Sequence, residues 1–508
     1  MCLSKQNNIA DSVARVTDTF KSGKTLPLAY RKKQITAVRA LFTENAEAIY
    51  DAVYKDLHKS RTETFLAEIQ ININDCDKHL NSIDDWAAPR YHNTDVINLP
   101  AVTATQPEPM GVALIVACWN YPFALLAGPL IACIAAGCTA VIKTASEEHA
   151  NASMALWCEL LPQYLDNEAY VIVSGGADAL EGLLEQRYDV IFATGSPGLG
   201  RMVHKAATKH LTKTVLELGG KSPVYVHRDC NLTIGARRIM WGACAFNNGQ
   251  TCVRPDHLFI DSTIADSFIA NLKKEAKAMF GEDAQKGNTY NRMAKSKGHF
   301  ERVANILKTD AKYVVYGGNS DAADWYIAPT ILDFGTDAEA FHNSAAMQGE
   351  IFGPIIPILR VDTPEVAYKS ILSREKPLSL YGFTNNKKIQ TEMLKLPAGT
   401  TQFNDVVSHV LNPDAPFGGV GNSGMGAYHG QAGFDNFSHM KTVMVNWSAN
   451  DLAARYPPYS AMDKRLLRLV FREWPDTMIN VLNNPAKVFI VGAALAAGAA
   501  YYMHFMKR

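Results

Sequence analysis

Neither sign of charge is in excess in this 508-residue chain: Lys plus Arg and Asp plus Glu number 50 each. That balance provides no basic field for a polyanion, so nucleic acid is not an expected partner. Paired cysteines are also missing. The nine cysteines (2, 76, 118, 133, 138, 158, 230, 244 and 252) are scattered, odd in number and without a C-x-x-C. A disulfide framework and a metal site are therefore not expected, and reduced thiols in a cytosol-facing protein are. Residues 1 to 8 have no apolar run of the kind a secretory signal needs. After Gly195-Ser-Pro-Gly-Leu-Gly200 the Gly-Lys-Ser/Thr of a nucleoside triphosphatase is replaced by Arg201-Met202, which excludes that class.

With 47% apolar and 20% charged residues the composition is that of a globular protein. Its length exceeds what one core supports, so two or more units are expected. Residues 9–90 read as amphipathic helices (9–22, 31–56 and 63–86), with apolar positions recurring at three and four. Residues 93–106 are β-branched and read as a hairpin or extended arm. From Met110 short apolar runs at 112–117, 139–142, 170–173 and 190–192 alternate with helical stretches, the texture of an α/β unit with a parallel sheet. A second such series starts near Val215, with runs at 223–226, 257–260, 313–316 and 355–359. The glycine-rich stretch 416–426 reads as a loop, and 461–482 as one amphipathic helix bearing Lys464, Arg465, Arg468 and Arg472. Val488 to Met506 has no formal charge. As a helix its 19 residues would span about 28 Å at 1.5 Å each, which predicts a membrane anchor at the C-terminal end. A basic amphipathic helix beside it suits a membrane surface.

One amide-rich turn and four stretches at the ends of apolar runs, where such sheets bind ligands, hold reactive or polar residues. Cys252 stands in the amide-rich turn Phe246-Asn-Asn-Gly-Gln-Thr-Cys252, where polar groups would help a thiol ionise; the alternative is a small buried thiol. Asn120, after the run 112–117, offers an amide to a developing oxyanion or bonds its own turn. Lys143 ends the run 139–142 and would hold a phosphate or ribose, unless it is a solvated surface lysine. Gly195, Ser196 and Gly200 form a strand–turn–helix arrangement for an anion. Glu217 in an apolar, glycine-flanked setting has the makings of a general base, or of a partner for Lys221. Nucleophile, base, oxyanion donor and anion site together suit oxidation of a carbonyl through a thioester.

These residues resemble the aldehyde dehydrogenase superfamily over residues 10–460. Trp119-Asn-Tyr-Pro122, Thr194-Gly-Ser196, Glu217-Leu-Gly-Gly-Lys221, Gly249-Gln-Thr-Cys252 and Glu350-Ile-Phe-Gly-Pro354 occur in that family's order. Asp56-Leu-His-Lys-Ser60, the 416–426 loop and Phe437-Ser-His439 are similar to its class 3 branch, and Arg455-Tyr-Pro-Pro-Tyr459 before an anchor is similar to its fatty aldehyde dehydrogenases. The resemblance implies an α/β fold with a Rossmann-variant cofactor domain (1–92 and 109–216) and a second α/β catalytic domain (217–429). It further implies a bridging or oligomerisation arm (93–108 and 430–450), an amphipathic tail helix (451–484) and a transmembrane anchor (487–506). Cys252 would be the nucleophile, Glu217 the base, and Asn120 with the Cys252 N–H the oxyanion site. Trp119, Lys143, Gly195, Ser196, Gly200, Glu350 and Phe352 would hold NAD, with NADP possible.

The expected reaction is oxidation of medium- or long-chain aliphatic aldehydes to acids by a homodimer. Its membrane is expected to be the endoplasmic reticulum ahead of peroxisome or outer mitochondrial membrane, with the body in the cytosol. A general or aromatic aldehyde dehydrogenase, an acyl-transfer enzyme and an inactive scaffold are the alternatives. Three positions depart from the family pattern: Thr144-Ala-Ser146 after Lys143, where a Pro-Ser-Glu is usual and the glutamate disfavours a 2′-phosphate; Cys118; and Arg254.

Overall fold

Apolar runs bounded by turn residues become parallel strands here because both of their faces are covered. Val112–Val116, Thr139–Lys143 and Tyr170–Val173 are buried at every residue. The structure, a computed structural model, describes residues 9–287, 289–446, 448 and 451–484. By contacts the chain divides into two units, residues 1–84 with 109–438 and residues 85–108 with 439–508.

The larger unit holds two main sheets. The first runs Gly424–Met425, Lys213–Leu218, Val190–Gly195, Val112–Val116, Thr139–Lys143, Tyr170–Val173. Its pairings are parallel except at the Gly424–Met425 edge. Strand order reverses between Val112–Val116 and Val190–Gly195, so a ligand crevice is expected beyond those two carboxyl ends, where Asn120 and Gly195 stand. The second sheet runs Val314–Tyr316, Thr330–Asp333, Ile355–Val361, His257–Asp261, Pro223–Val226, Ser379–Phe383, Thr400–Phe403, antiparallel only at its first pair. Large apolar side chains such as Phe259, Leu359 and Leu380 fill one face of it.

Several elements differ from the sequence reading. Lys213–Leu218 completes the first sheet and does not open the second, because its pairing with Val190–Gly195 runs over six residues. Glu217 therefore sits opposite Thr194. Strands Ser379–Phe383 and Thr400–Phe403 escape the apolar-run criterion, since one contains Gly382 and the other is half-buried at a sheet edge. Gly424–Met425 is a short strand within the stretch read as a loop. The helix expected over 31–56 is two, Leu28–Glu44 and Ala46–Leu57, broken at Asn45. Of the described cysteines seven are free thiols, whereas Cys158 is disulfide-bonded, so the expectation of an all-reduced set fails at that position.

In the smaller unit Arg90–His92 pairs antiparallel with Val102–Pro109, and Ser438–Val445 completes a three-stranded sheet. The single helix expected over 461–482 is broken into Ala461–Val470 and Asp476–Leu482. Pro475, which cannot donate to a preceding turn, stands at the break. The anchor expected at 487–506 lies outside the described residues; among the described residues no helix is long and apolar enough to cross a membrane.

Candidate active site

Cys252 is held by an unusual turn. Asn247, Asn248 and Gly249 follow one another at positive φ (49°, 53° and 69°), a conformation that asparagine and glycine tolerate best. At Gly249 a Cβ would stand 2.5 Å from the Ala243 carbonyl oxygen and 2.6 Å from that of Gly353, so no larger residue fits. Polar groups lock the turn from every side. Asn248 donates to the Asn291 carbonyl (2.6 Å), Gln250 donates to that of Arg292 (3.0 Å), and Glu63 accepts the Asn247 N–H (2.7 Å). The buried Arg254 guanidinium donates to the carbonyls of Ala243 (3.3 Å) and Ile355 (2.8 Å) and to Asp256 (3.4 Å). That network accounts for an arginine two residues past the thiol: it ties the turn to strand Ile355–Val361.

Asn120 comes from the other sheet and meets the same turn. It is buried, and its amide donates to the Gln250 carbonyl at 3.0 Å while its Oδ1 has no partner. Its main-chain carbonyl accepts from Asn247 (2.8 Å), and the next residue, Tyr121, shares a hydrogen with Thr251 at 2.6 Å. Asn120 and Cys252 are thus fastened to one hydrogen-bonded block although 132 positions separate them in the chain.

The two carboxyls differ from that block. Glu217 is buried, and neither of its oxygens has a hydrogen-bond partner. Burial pushes its pKa well above the usual carboxylate range. Its alternative reading, a pair with Lys221, does not hold: Lys221 binds Asp256 and the carbonyls of Ala346 (2.8 Å) and Gly349 (2.9 Å). Glu350 packs against Gly219, where any Cβ would collide with its Oε2. Its Oε1 is buried without a partner, and burial with the nearby Asp256 charge raises its pKa to about 8. Asp256 also accepts the Ile351 N–H (3.0 Å), so one carboxylate steadies both the thiol turn and the Glu350 loop. Burial raises the Cys252 thiol too, and the Glu350 and Glu217 carboxyls raise it further. At neutral pH this thiol needs a base to ionise.

Trp119 and Phe352 meet edge-on at 5.4 Å, and Phe352 takes a positive φ of 51°. His149 stacks on Trp119 at 5.3 Å and His299 lies at 5.2 Å; the sequence reading missed both histidines. Lys143 is buried at its strand end and donates to the Thr144 carbonyl at 2.7 Å, not the solvated lysine of the alternative. Ser196 caps helix Pro197–Ala207 by accepting the Leu199 N–H at 3.3 Å. Gly195 and Gly200 permit close packing, since a Cβ would lie 2.5 Å from Leu199 and 2.7 Å from Leu218 respectively. Nothing in the structure explains why position 118 is a cysteine. Among the described residues no cluster of His, Cys, Asp or Glu could hold a metal ion.

A cavity of about 460 Å³ opens onto Cys252. Its walls are mostly apolar, with Leu66, Leu125, Trp241, Phe246, Val410 and Phe417 prominent, and Asp75 and His429 add a polar side. A thiol below an apolar cavity, beside a dinucleotide-type crevice whose Thr194 hydroxyl and Glu350 Oε1 are buried without partners, has the makings of a cofactor-dependent oxidoreductase.

Comparison with known proteins agrees. The model of the "Aldehyde dehydrogenase family" matches residues 2–443. The chain is 40% identical over 464 residues to "Aldehyde dehydrogenase, dimeric NADP-preferring" of Mus musculus, covering 90% of this chain and 99% of that protein. It is 42% identical over 453 residues to "Aldehyde dehydrogenase family 3 member A2" of Rattus norvegicus, covering 88% and 91%. Among solved structures, "Substrate bound state of Staphylococcus Aureus AldH" superposes with a TM-score of 0.87 at 33% identity, covering 91% of this chain and 99% of that one. The chain belongs to the aldehyde dehydrogenase family. It is an enzyme that oxidises aldehydes with NAD or NADP.

Proposed function

We propose that the protein oxidises medium- and long-chain aliphatic aldehydes to carboxylic acids through a Cys252 thioester. The observation that carries this reading is the apolar cavity of about 460 Å³ with Cys252 on its lining, which suits an alkyl chain better than a small polar aldehyde. The likeness to the family 3 member A2 protein of rat supports the aldehyde oxidation itself.

In this reading Cys252 Sγ attacks the aldehyde carbon. The developing oxyanion is met by the Asn120 amide, which keeps one hydrogen beyond that given to Gln250, and by the Cys252 N–H. Glu217, desolvated and so a stronger base than a surface carboxylate, activates the water that cleaves the thioester or takes the thiol proton. A nicotinamide dinucleotide, when bound, would supply the hydride acceptor. Glu350, Phe352 and Trp119 would hold its nicotinamide end, and Lys143, Gly195, Ser196 and Gly200 its adenosine and phosphate side. Ser146, half-buried where the family has a glutamate, leaves room for a 2′-phosphate, in keeping with the NADP preference in the mouse relative's name.

The stretch 487–506, without formal charge from Val488 onward, serves in this reading as an anchor in the endoplasmic reticulum membrane, with the catalytic body in the cytosol as a homodimer. Long alkyl aldehydes partition into a bilayer, which gives an anchor a purpose. The test is turnover of the full chain with hexadecanal and benzaldehyde, each with NAD and NADP. Higher kcat/KM for hexadecanal is expected; a preference for benzaldehyde would leave an aldehyde dehydrogenase of general substrate range. Removing residues 485–508 should free the protein from microsomes, and retention would sink the anchor.

A further inference from the structure

Lys59 and Glu68 form an ion pair of 2.8 Å in which both side chains are completely buried. Such a pair is weak evidence of stability, because desolvating two charges offsets most of their attraction. Its contacts point elsewhere. Lys59 Nζ also donates to the Asn120 carbonyl at 3.2 Å and lies 4.2 Å over the Tyr121 ring. The second oxygen of Glu68 accepts the N–H groups of Phe123 and Ala124, both at 3.1 Å, where helix Ala124–Ala136 begins. Every residue from Asn120 to Ala124 except Pro122 therefore touches the pair. Glu68 itself sits in a π-helical stretch, Phe65–Gln70, a local widening often found at functional places.

We propose that Lys59 and Glu68 are positioning residues for the oxidation, fixing the Asn120 loop against the Cys252 turn. The inference rests on the reading of Asn120 as oxyanion donor. The Asn120 carbonyl takes one hydrogen from Lys59 and one from Asn247, while its amide reaches the Gln250 carbonyl. Without the lysine, Asn120 keeps its link to the Cys252 turn but loses its bridge through Lys59 to Glu68, which still holds Phe123 and Ala124. A tilt of under an ångström is then enough to draw the amide from the oxyanion.

The test is a double-mutant cycle in the full-length enzyme. Lys59→Met with Glu68→Gln removes both charges and keeps an acceptor for Phe123 and Ala124, so the folded state is retained; a thermal melt checks this. In wild type the pair of substitutions should lower kcat about 10- to 100-fold, with dinucleotide affinity unchanged by fluorescence titration. In an Asn120→Ala background the same substitutions should lower kcat less than 3-fold, because the group they position is gone. Equal losses in both backgrounds, or no loss in wild type, would overturn the proposal. If Asn120→Ala by itself left kcat intact, the oxyanion reading would fail instead. Should the double variant not fold, Lys59→Arg serves, with smaller losses expected in the same pattern.

Discussion

Two walls face each other across the reacting thiol, and they are built on opposite principles. The turn 246–256 ties most of its polar groups to the surrounding fold, Asn247 Oδ1 and Asn248 Oδ1 excepted: Asn248, Gln250 and Arg254 each donate to buried carbonyls, and Asp256 takes a lysine, an arginine and a main-chain N–H. The opposing strand ends leave theirs unmet. Both Glu217 oxygens, the Thr194 hydroxyl and one Glu350 oxygen are buried without a partner. Buried polar groups are nearly always bonded, so one wall is finished by the fold and the other awaits water, substrate and dinucleotide. The finished wall sets where the thiol is; the unfinished one sets what it can do.

Substitutions separate the two. Cys252→Ala should abolish aldehyde oxidation, by about 10⁴-fold or more, with dinucleotide binding retained in a fluorescence titration. Glu217→Gln should cost about 10²–10⁴-fold in steady-state turnover. A first-turnover burst of reduced dinucleotide should persist there if Glu217 acts mainly in thioester hydrolysis; loss of the burst would assign it to thiol ionisation. Asn120→Ala should lower kcat about 10²–10³-fold, as for other oxyanion donors.

On the finished wall the effect should be on stability. Gly249→Ala places a Cβ against two carbonyl oxygens at a positive φ, so a destabilisation of about 2 kcal/mol or more is expected in denaturant melts. A melt within 0.5 kcal/mol of wild type, by the usual spread for harmless substitutions, would mean the turn is less rigid than described.

The smallest effect concerns charge. Glu350, raised to about 8, is protonated below that pH and anionic above it, where it opposes ionisation of Cys252. Alkylation of Cys252 by iodoacetamide should therefore proceed alike in wild type and Glu350→Gln below about pH 8. Above it the variant should react faster, because the repelling carboxylate is gone. A constant ratio across pH would remove Glu350 from the titration.

Much of this was legible along the chain. Apolar runs of three to six residues marked most of the strands in both sheets, since strands buried on both faces have no polar alternation to confuse the reading. Strand Thr400–Phe403 was not legible, because an edge strand is half-buried and its side chains look like those of a loop. Glu217 and Asn120 stood out as polar residues at the ends of apolar runs, and Cys252 as a lone thiol in an amide-rich turn. Lys59, Glu68 and His299 did not: Lys59 lies in the short link 58–60 and the other two on helices, and nothing local marks them as buried. Arg254 was visible but unexplained until the carbonyls of Ala243 and Ile355 were seen around it.

The sequence alone determined the two α/β layers and the cast of reactive side chains, because hydrophobic period and turn chemistry are local properties, while its motifs carried the family resemblance. Only the tertiary structure decided which charges are partnered. It alone paired Lys221 with Asp256, away from Glu217, and placed the buried Lys59–Glu68 pair beneath Asn120. Desolvation and long-range pairing are set by what the rest of the chain folds against a residue, and that information is not carried by the residue's neighbours in sequence.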